Sequence, residues 1–409
     1  MNNKSVSEQM QKPVSIEAAN IKEKVTTRIA YIDMLRGFLI ALVIVFHAAC
    51  TYNGSEDWTY RDMGANDQLS SVVLSLFVLC CQSFFMGLYF FLSGVFTPGS
   101  YDKKGPWVFW KDRIVHLVIP MLIYTFAISR IPNYLDDFTN SGVRLNFWQY
   151  SAQTFWHDAD AGPTWFIFAV LGFSIVYTCL RLIGKWLAKK GVSQTSWTER
   201  IAAPATRTLL VVALIMATAM FLVGQFTSIV HSFRIFNTVP LLLGFFPFYV
   251  VLFFGGILAF RNNWLAQWKS SMLKFWGWLS IGLLVTLPVF LISTGALEND
   301  LSVYFGGFNL RCAGMCLWLG LACISFGLSL TLWMRDHIKP SSKMAVFAGT
   351  NSYAVFLIHP PILVAVTVII SRYTWHPMLK FAIASVVSVV LCFLLSEILR
   401  RIPVIRKTL

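Results

Sequence analysis

The sequence predicts an all-α fold, a polytopic membrane helix bundle of about ten transmembrane helices with both termini cytoplasmic. Three observations carry this. Of 409 residues, 56% are hydrophobic and only 13% charged, where a soluble domain carries about a quarter charged residues. Apolar runs of about 20 residues, the length that crosses a bilayer, recur along the chain. Positive charge falls in alternate loops, the pattern that sets membrane orientation.

The runs lie near 30–50, 69–96, 114–130, 163–183, 207–230, 239–260, 274–294, 309–333, 344–371 and 378–399. The second and ninth exceed a usual span, so a tilt or break is expected, at Gly87, Gly94 or the Pro360-Pro361 pair. Ten spans put both termini on one side. Of the 33 Lys and Arg, one set of alternate loops holds all but Arg36, inside a span, and Arg61, Arg130, Arg144, Arg234, Arg311, Arg372 and Lys380 on the other side. The positive-inside rule then places both termini in the cytoplasm.

Residues 1–28 read as a cytoplasmic, disordered tail, 29–402 as one transmembrane domain and 403–409 as a second cytoplasmic tail. The first 28 residues lack an apolar h-region, so no cleavable signal peptide is expected and the first span serves as its own insertion signal. The expected location is the cell (inner, cytoplasmic) membrane, with the lipid bilayer as a partner.

Several function classes are disfavoured. The net charge of +14 sits mostly on cytoplasmic loops facing anionic headgroups, so no nucleic-acid role is expected. The eight cysteines fall in or beside spans and read as small buried thiols. No metal site is expected, since Cys312 and Cys316 share a helix face without a nearby His or carboxylate. No P-loop, dinucleotide-binding glycine pattern or His-Glu-x-x-His occurs, which disfavours ATP-driven pumps and zinc proteases of the common kinds.

Within the first run, Arg36 and His47 stand eleven residues apart, which is three helical turns plus about 20° and a rise of about 16 Å. They project from one face at different depths. An isolated charge at the bilayer centre costs at least about 2.5–3.5 kcal/mol, so such residues face a protein interior or a wet cavity. The residues alone leave a blander reading open, with Arg36 snorkelling beside Asp33 and His47 hydrogen-bonding at the outer interface.

Other motifs add to this pair. The second run ends Phe84-Phe-Met-Gly-Leu-Tyr-Phe-Phe-Leu-Ser-Gly-Val-Phe96. A basic stretch follows, Trp110-Lys-Asp-Arg-Ile-Val-His-Leu-Val-Ile-Pro120. The fourth run opens Gly162-Pro-Thr-Trp-Phe166, and the ninth holds Thr350-Asn-Ser-Tyr-Ala-Val-Phe-Leu-Ile-His-Pro360. With Asp33-Met-Leu-Arg-Gly37 and the Arg36–His47 spacing, this ordered set resembles the acyltransferase family 3 membrane enzymes, from about residue 28 to 400. The Thr97-Pro-Gly-Ser-Tyr-Asp-Lys-Lys-Gly-Pro-Trp107 loop is most similar to the glucans biosynthesis protein C subgroup.

The resemblance implies transfer of an acyl group, of the acetyl or succinyl class, from a cytoplasmic donor such as acyl-CoA. The implied acceptor is a hydroxyl of an extracytoplasmic glycan or small molecule. No permanently bound cofactor is implied; acyl-CoA enters as a co-substrate. One departure stands out. The family commonly carries Arg-x-x-Arg before the proline, whereas here Arg113 is followed by His116, which lacks a planar bidentate grip.

Acyl transfer to an alcohol needs a base, and His47 is the best candidate, since its pKa lies ordinarily near neutrality. Arg36 stays protonated and suits donor binding or charge stabilisation. His47 and Arg36 are therefore the candidate catalytic pair, with Arg113, Ser93, Trp165, His359 and Asp158 as candidate substrate-binding residues. His359 has two readings, a site residue or a histidine bonding a carbonyl freed by the prolines. Ser93 is cavity lining, a nucleophile or helix packing. Trp165 is a site wall or part of the aromatic belt. The outer loop offers Asp136, Asp137, His157, Asp158 and Asp160 with Trp148, Tyr150 and Trp156, suited either to sugar recognition or to a solvated, interfacial loop. A solute or glycan transporter is the alternative reading, because intramembrane charges and a broken helix fit it too.

Overall fold

The computed structural model describes residues 29–54, 58–62, 64, 67–156, 159–190, 201–296, 298 and 300–403. The tail expected at 1–28, the last six residues, and the outer-loop residues His157 and Asp158 lie outside the described residues. Among the described residues, nine helical stretches are long and apolar enough to cross a membrane. One of these, Gln68–Thr139, is 72 residues long and is two spans joined by a turn.

Helix α1 (Ala30–Tyr52) leads to α2 (Gln68–Arg113), which Asp67 caps by accepting from the Ser70 amide at 2.8 Å. Bonds from the Ser70 hydroxyl and amide hold the Asp67 carboxyl below its ordinary pKa. The break in α2 falls at Gly105, with φ +72°, a conformation that costs glycine little and other residues much. Arg113 Nη2 reaches Thr97 Oγ1 at 3.0 Å. Sixteen residues of straight helix would separate these by about 24 Å, so the chain doubles back at Gly105. The two arms supply the second and third expected spans.

This corrects the expected break points. Gly87 and Gly94 stay helical, and a Cβ at Gly94 would lie 2.0 Å from the Phe253 carbonyl oxygen. Glycine serves helix packing there, not bending. The Pro360-Pro361 pair likewise sits inside an unbroken α12.

The returning arm runs through two π-helical turns, Ile114–Val118 and Tyr124–Ile128, around α3 (Ile119–Ile123). The loop expected after it contains α4 (Arg130–Thr139) and α5 (Phe147–Thr154), the latter closed by an Asn146–Gln149 capping box. Arg130 is buried and donates to the Thr154 and Phe155 carbonyls at 2.9 and 2.7 Å, fastening α5 back onto the arm.

Next come α6 (Trp165–Lys189) and α7 (Thr206–Val223), then strands β1 (Ser232–Ile235) and β2 (Val239–Leu242). These strands pair antiparallel, Ser232 opposite Leu242. The fifth run therefore ends at Val223 and the sixth begins as α8 (Phe246–Asn262). Short apolar segments satisfy helix and strand patterns alike, and here the turn residues Phe236 and Asn237, both at positive φ, close a hairpin. The chain continues through α9 (Trp264–Gln267), α10 (Met272–Ser293), α11 (Leu310–His337), α12 (Lys343–Ser371) and α13 (Pro377–Leu399).

Helix α1 packs between α2, α12 and α13, while α11 is buried among α1, α2, α7 and α10. The approach of α1 to α12 is close because both carry glycine at the contact. A Cβ at Gly37 would lie 2.3 Å from Ala348 Cβ, and one at Gly349 would lie 2.5 Å from Asp33 Cβ. From there the two helices run parallel, ten and eleven residues on, to His47 and His359, which touch.

Candidate active site

A cavity of about 1770 Å³ opens inside the bundle, walled by α1, α2, α4, α6, the β-hairpin and α12. Its orientation relative to the helices follows from three contacts. Phe46 packs on Phe85 with ring centroids 4.9 Å apart, the Tyr89 hydroxyl donates to the Arg36 carbonyl at 3.3 Å, and Thr97 accepts from Arg113. So α2 runs antiparallel to α1, and Arg36 and Arg113 share one end of the cavity while His47 lies toward the other.

Both members of the α1 pair line this space, as do Arg113, Ser93 and Trp165. Arg36 keeps Asp33 at 3.8 Å, and the two face of α1 that carries them is continued by His47 about 16 Å on. Arg113 is braced by Thr97 and by the Phe109 ring, 4.5 Å from its guanidinium carbon. Its neighbours Lys111 and His116 are exposed and do not line the cavity; the His116 carbonyl instead accepts from the Tyr353 hydroxyl at 2.5 Å.

His359 holds a different place from the one its candidacy as a substrate-binding residue implied. It is fully buried and touches His47 rather than the cavity. The geometry matches the reading of a histidine bonding a carbonyl freed by the prolines. Pro360 has no N–H, so the Phe356 carbonyl lacks its usual helical donor. His359 Nδ1 lies 2.7 Å from that carbonyl oxygen and Nε2 lies 3.2 Å from His47 Nδ1.

These contacts determine where the protons are. A carbonyl only accepts, so His359 Nδ1 carries the hydrogen and, in the neutral ring, Nε2 is an acceptor. His47 Nδ1 must then be the donor to it. The remaining nitrogen, His47 Nε2, keeps a lone pair for a molecule in the cavity. Trp58 stacks on the same imidazole, centroids 4.0 Å apart and 17° between planes. One ring edge and one face of His47 are thus held.

At the His47 end of α1 the wall becomes acidic. Asp136, Asp137 and Asp160 line it, with Tyr150 donating to Asp137 at 2.7 Å and Arg234 of the hairpin 3.6 Å from Asp160. The outer-loop candidates therefore divide. Trp148 and Trp156 are 78% exposed and stand away from the cavity, Tyr150 and the three aspartates face it, and Asp158 lies outside the described residues.

Sequence reasoning missed Trp58, Gln82, Tyr89, His231 just before the hairpin and Arg234 within it, all in the wall. A lone amide inside an apolar run was a signal for Gln82. Nothing local marked Trp58 or the hairpin. Among the described residues no group of three or more His, Cys, Asp or Glu could hold a metal ion.

The fold and cavity define a multi-pass membrane protein whose interior joins a cationic end to a histidine pair. The chain belongs to acyltransferase family 3: the family model described as an acyltransferase domain matches residues 29–397. Comparison with curated proteins and with solved structures gives no match. The protein is accordingly a membrane acyltransferase, an enzyme transferring groups other than aminoacyl groups.

Proposed function

We propose that this enzyme moves an acetyl- or succinyl-class acyl group from cytoplasmic acyl-CoA to a hydroxyl of an extracytoplasmic glycan or small molecule, in the cell (inner) membrane. The observation that carries the reading is the single cavity lined by Arg36 and Arg113 at one end and by His47 toward the other. The charge alternation favours the arginine end as cytoplasmic. Two guanidiniums suit the phosphates of the donor, which they grip with paired donors. The long pantetheine arm then carries the thioester along the cavity toward His47.

The chemistry balances with few groups. The acceptor hydroxyl oxygen attacks the thioester carbonyl, and its proton passes to His47 Nε2. The tetrahedral intermediate collapses with cleavage of the C–S bond, and the leaving thiolate takes the proton back from His47. The products are an ester and a free thiol. His359 orients the base and accepts a hydrogen bond from the imidazolium that forms, the part a carboxylate plays in hydrolase triads. Ser93 and Trp165 line the path of the acyl arm, and the acidic wall suits the hydroxyls of a polyol, each carboxylate oxygen being an acceptor. Asp158 belongs to the same loop and is proposed as a further acceptor-binding group.

The test is mass spectrometry of envelope glycans and small metabolites with and without the protein. A gain of one acyl unit that depends on the protein supports the reading. An unchanged acceptor profile alongside ion-driven accumulation of a solute supports transport instead.

A further inference from the structure

Lys380 and Asp62 form an ion pair that does not line the cavity, and both are almost fully enclosed. Lys380 Nζ lies 2.7 Å from Asp62 Oδ2, with side chains 3% and 4% exposed. Burial alone makes such a pair expensive. Position makes it more so, because Lys380 is the fourth residue of α13, whose N-terminal end already bears partial positive charge. Asp62 offsets both penalties. Its segment is also tied by the Asp62 amide to the Thr51 carbonyl at 3.2 Å and by Asn140 to the Arg61 carbonyl at 3.0 Å. The Gly64 amide reaches Asp62 Oδ1 at 3.1 Å, a side-chain bond joins Tyr60 to Ser371, and the ion pair is the charge-to-charge link to α13 at 2.7 Å.

That segment carries Trp58. Trp58 and Tyr60 pack with Ala48 and Cys50 of α1 and with Leu363 and Val364 of α12, on the two helices that supply the histidines. From this seat the indole covers one face of His47. His359 holds the imidazole through Nδ1, its ring 5.2 Å away and 14° from parallel, and Phe46 meets it edge-on at 5.2 Å; Trp58 lies over it more closely, centroids 4.0 Å apart. A ring fixed at an edge still tilts, whereas one fixed at an edge and a face does not.

We propose that Lys380 is a positioning residue for acyl transfer. Through Asp62 it anchors segment 58–62, so that Trp58 keeps His47 Nε2 aimed into the cavity. The inference rests on His47 acting as the base, and it assigns a role to a buried pair that the reaction itself does not use.

The test uses the full chain in lipid nanodiscs. Removing Lys380 alone strands a buried carboxylate, so the informative variant is Asp62→Leu with Lys380→Met; apolar replacement of both partners of a buried pair is often neutral for stability. That double variant is expected to melt as the native protein does and to keep donor KM, while kcat falls roughly tenfold or more. Trp58→Leu is expected to lose a similar factor, and adding it to the double variant to cost little further, as for residues acting through one another. Lys380→Arg is expected to retain most activity. An independent readout is carbethoxylation of His47 by diethyl pyrocarbonate, followed by mass spectrometry with exposed His337 as reference. It should slow several-fold in the double variant and in Trp58→Leu, because the reagent is attacked by the in-plane Nε2 lone pair that the indole keeps aimed into the cavity. Native kcat and native His47 labelling in the double variant would overturn the proposal, as would losses that simply multiply. If His47→Ala kept activity, the base assignment would fail separately, and the labelling rates would still report whether the pair governs Trp58.

Discussion

His359 Nε2 stands 3.2 Å from His47 Nδ1 although 312 residues separate them in the chain. The contact links a helix-breaking residue to a proton inventory. Pro360 frees the Phe356 carbonyl, the carbonyl sets the His359 tautomer, and His359 sets that of His47. The first prediction follows from this. His359→Ala should leave the protein folded and donor KM little changed, with kcat reduced by about 10²–10³-fold, within the range of general acid–base effects. Steady-state kinetics in membranes, with thermal melting as a control, decides it.

Pro360→Ala tests the first link. The new amide supplies Phe356 with a backbone donor that competes with His359 Nδ1. The helix should be as stable or more so, since an interior proline costs about 3 kcal/mol, while activity falls several-fold. Activity and stability moving together would argue against the relay.

Arg113→Ala should raise donor KM with kcat nearly kept. Losing a charge-assisted bond worth about 1.5–3 kcal/mol corresponds to roughly 10- to 150-fold. Thr97→Val, which removes the brace at 3.0 Å, should give the same effect in weaker form. Titrating acyl-CoA at fixed acceptor measures both.

Gly37→Val should fail through packing. A Cβ there meets Ala348 Cβ at 2.3 Å, and overpacking costs about 1–3 kcal/mol or more. Lower yield and melting temperature are expected, with residual activity falling faster than yield because α1 and α12 carry the paired histidines. Thermal melting in detergent with activity per folded molecule checks this.

Much of the fold was legible because apolar length and charge alternation are direct consequences of a bilayer. The Arg36–His47 face was legible because helical geometry alone relates two residues eleven apart. A turn between the second and third runs was legible, but that it falls at Gly105 with helix on both sides was not, since helical Gly94 and left-handed Gly105 look alike in sequence and only the packing against Phe253 separates them. Strand β2 was absorbed into a helix because Val239–Leu242 is short and apolar, with no period to distinguish the two. Trp58 and Lys380 were invisible for other reasons: Lys380 meets Asp62 across 318 residues, and Trp58, only eleven residues from His47, reaches it by the chain folding back after α1, which no periodic pattern encodes. Lys380 was even placed in an outer loop, as its charge would ordinarily require.

The central claim is that His47 takes the acceptor proton in a cavity supplied with donor from its arginine end. Inside-out membrane vesicles offered isotope-labelled acetyl- or succinyl-CoA test it directly, reading label transferred to the acceptor by mass spectrometry. The account predicts one labelled acyl unit per modified acceptor with the native protein, and none above background with a folded, membrane-inserted His47→Ala variant. Continued acylation by that variant would contradict it.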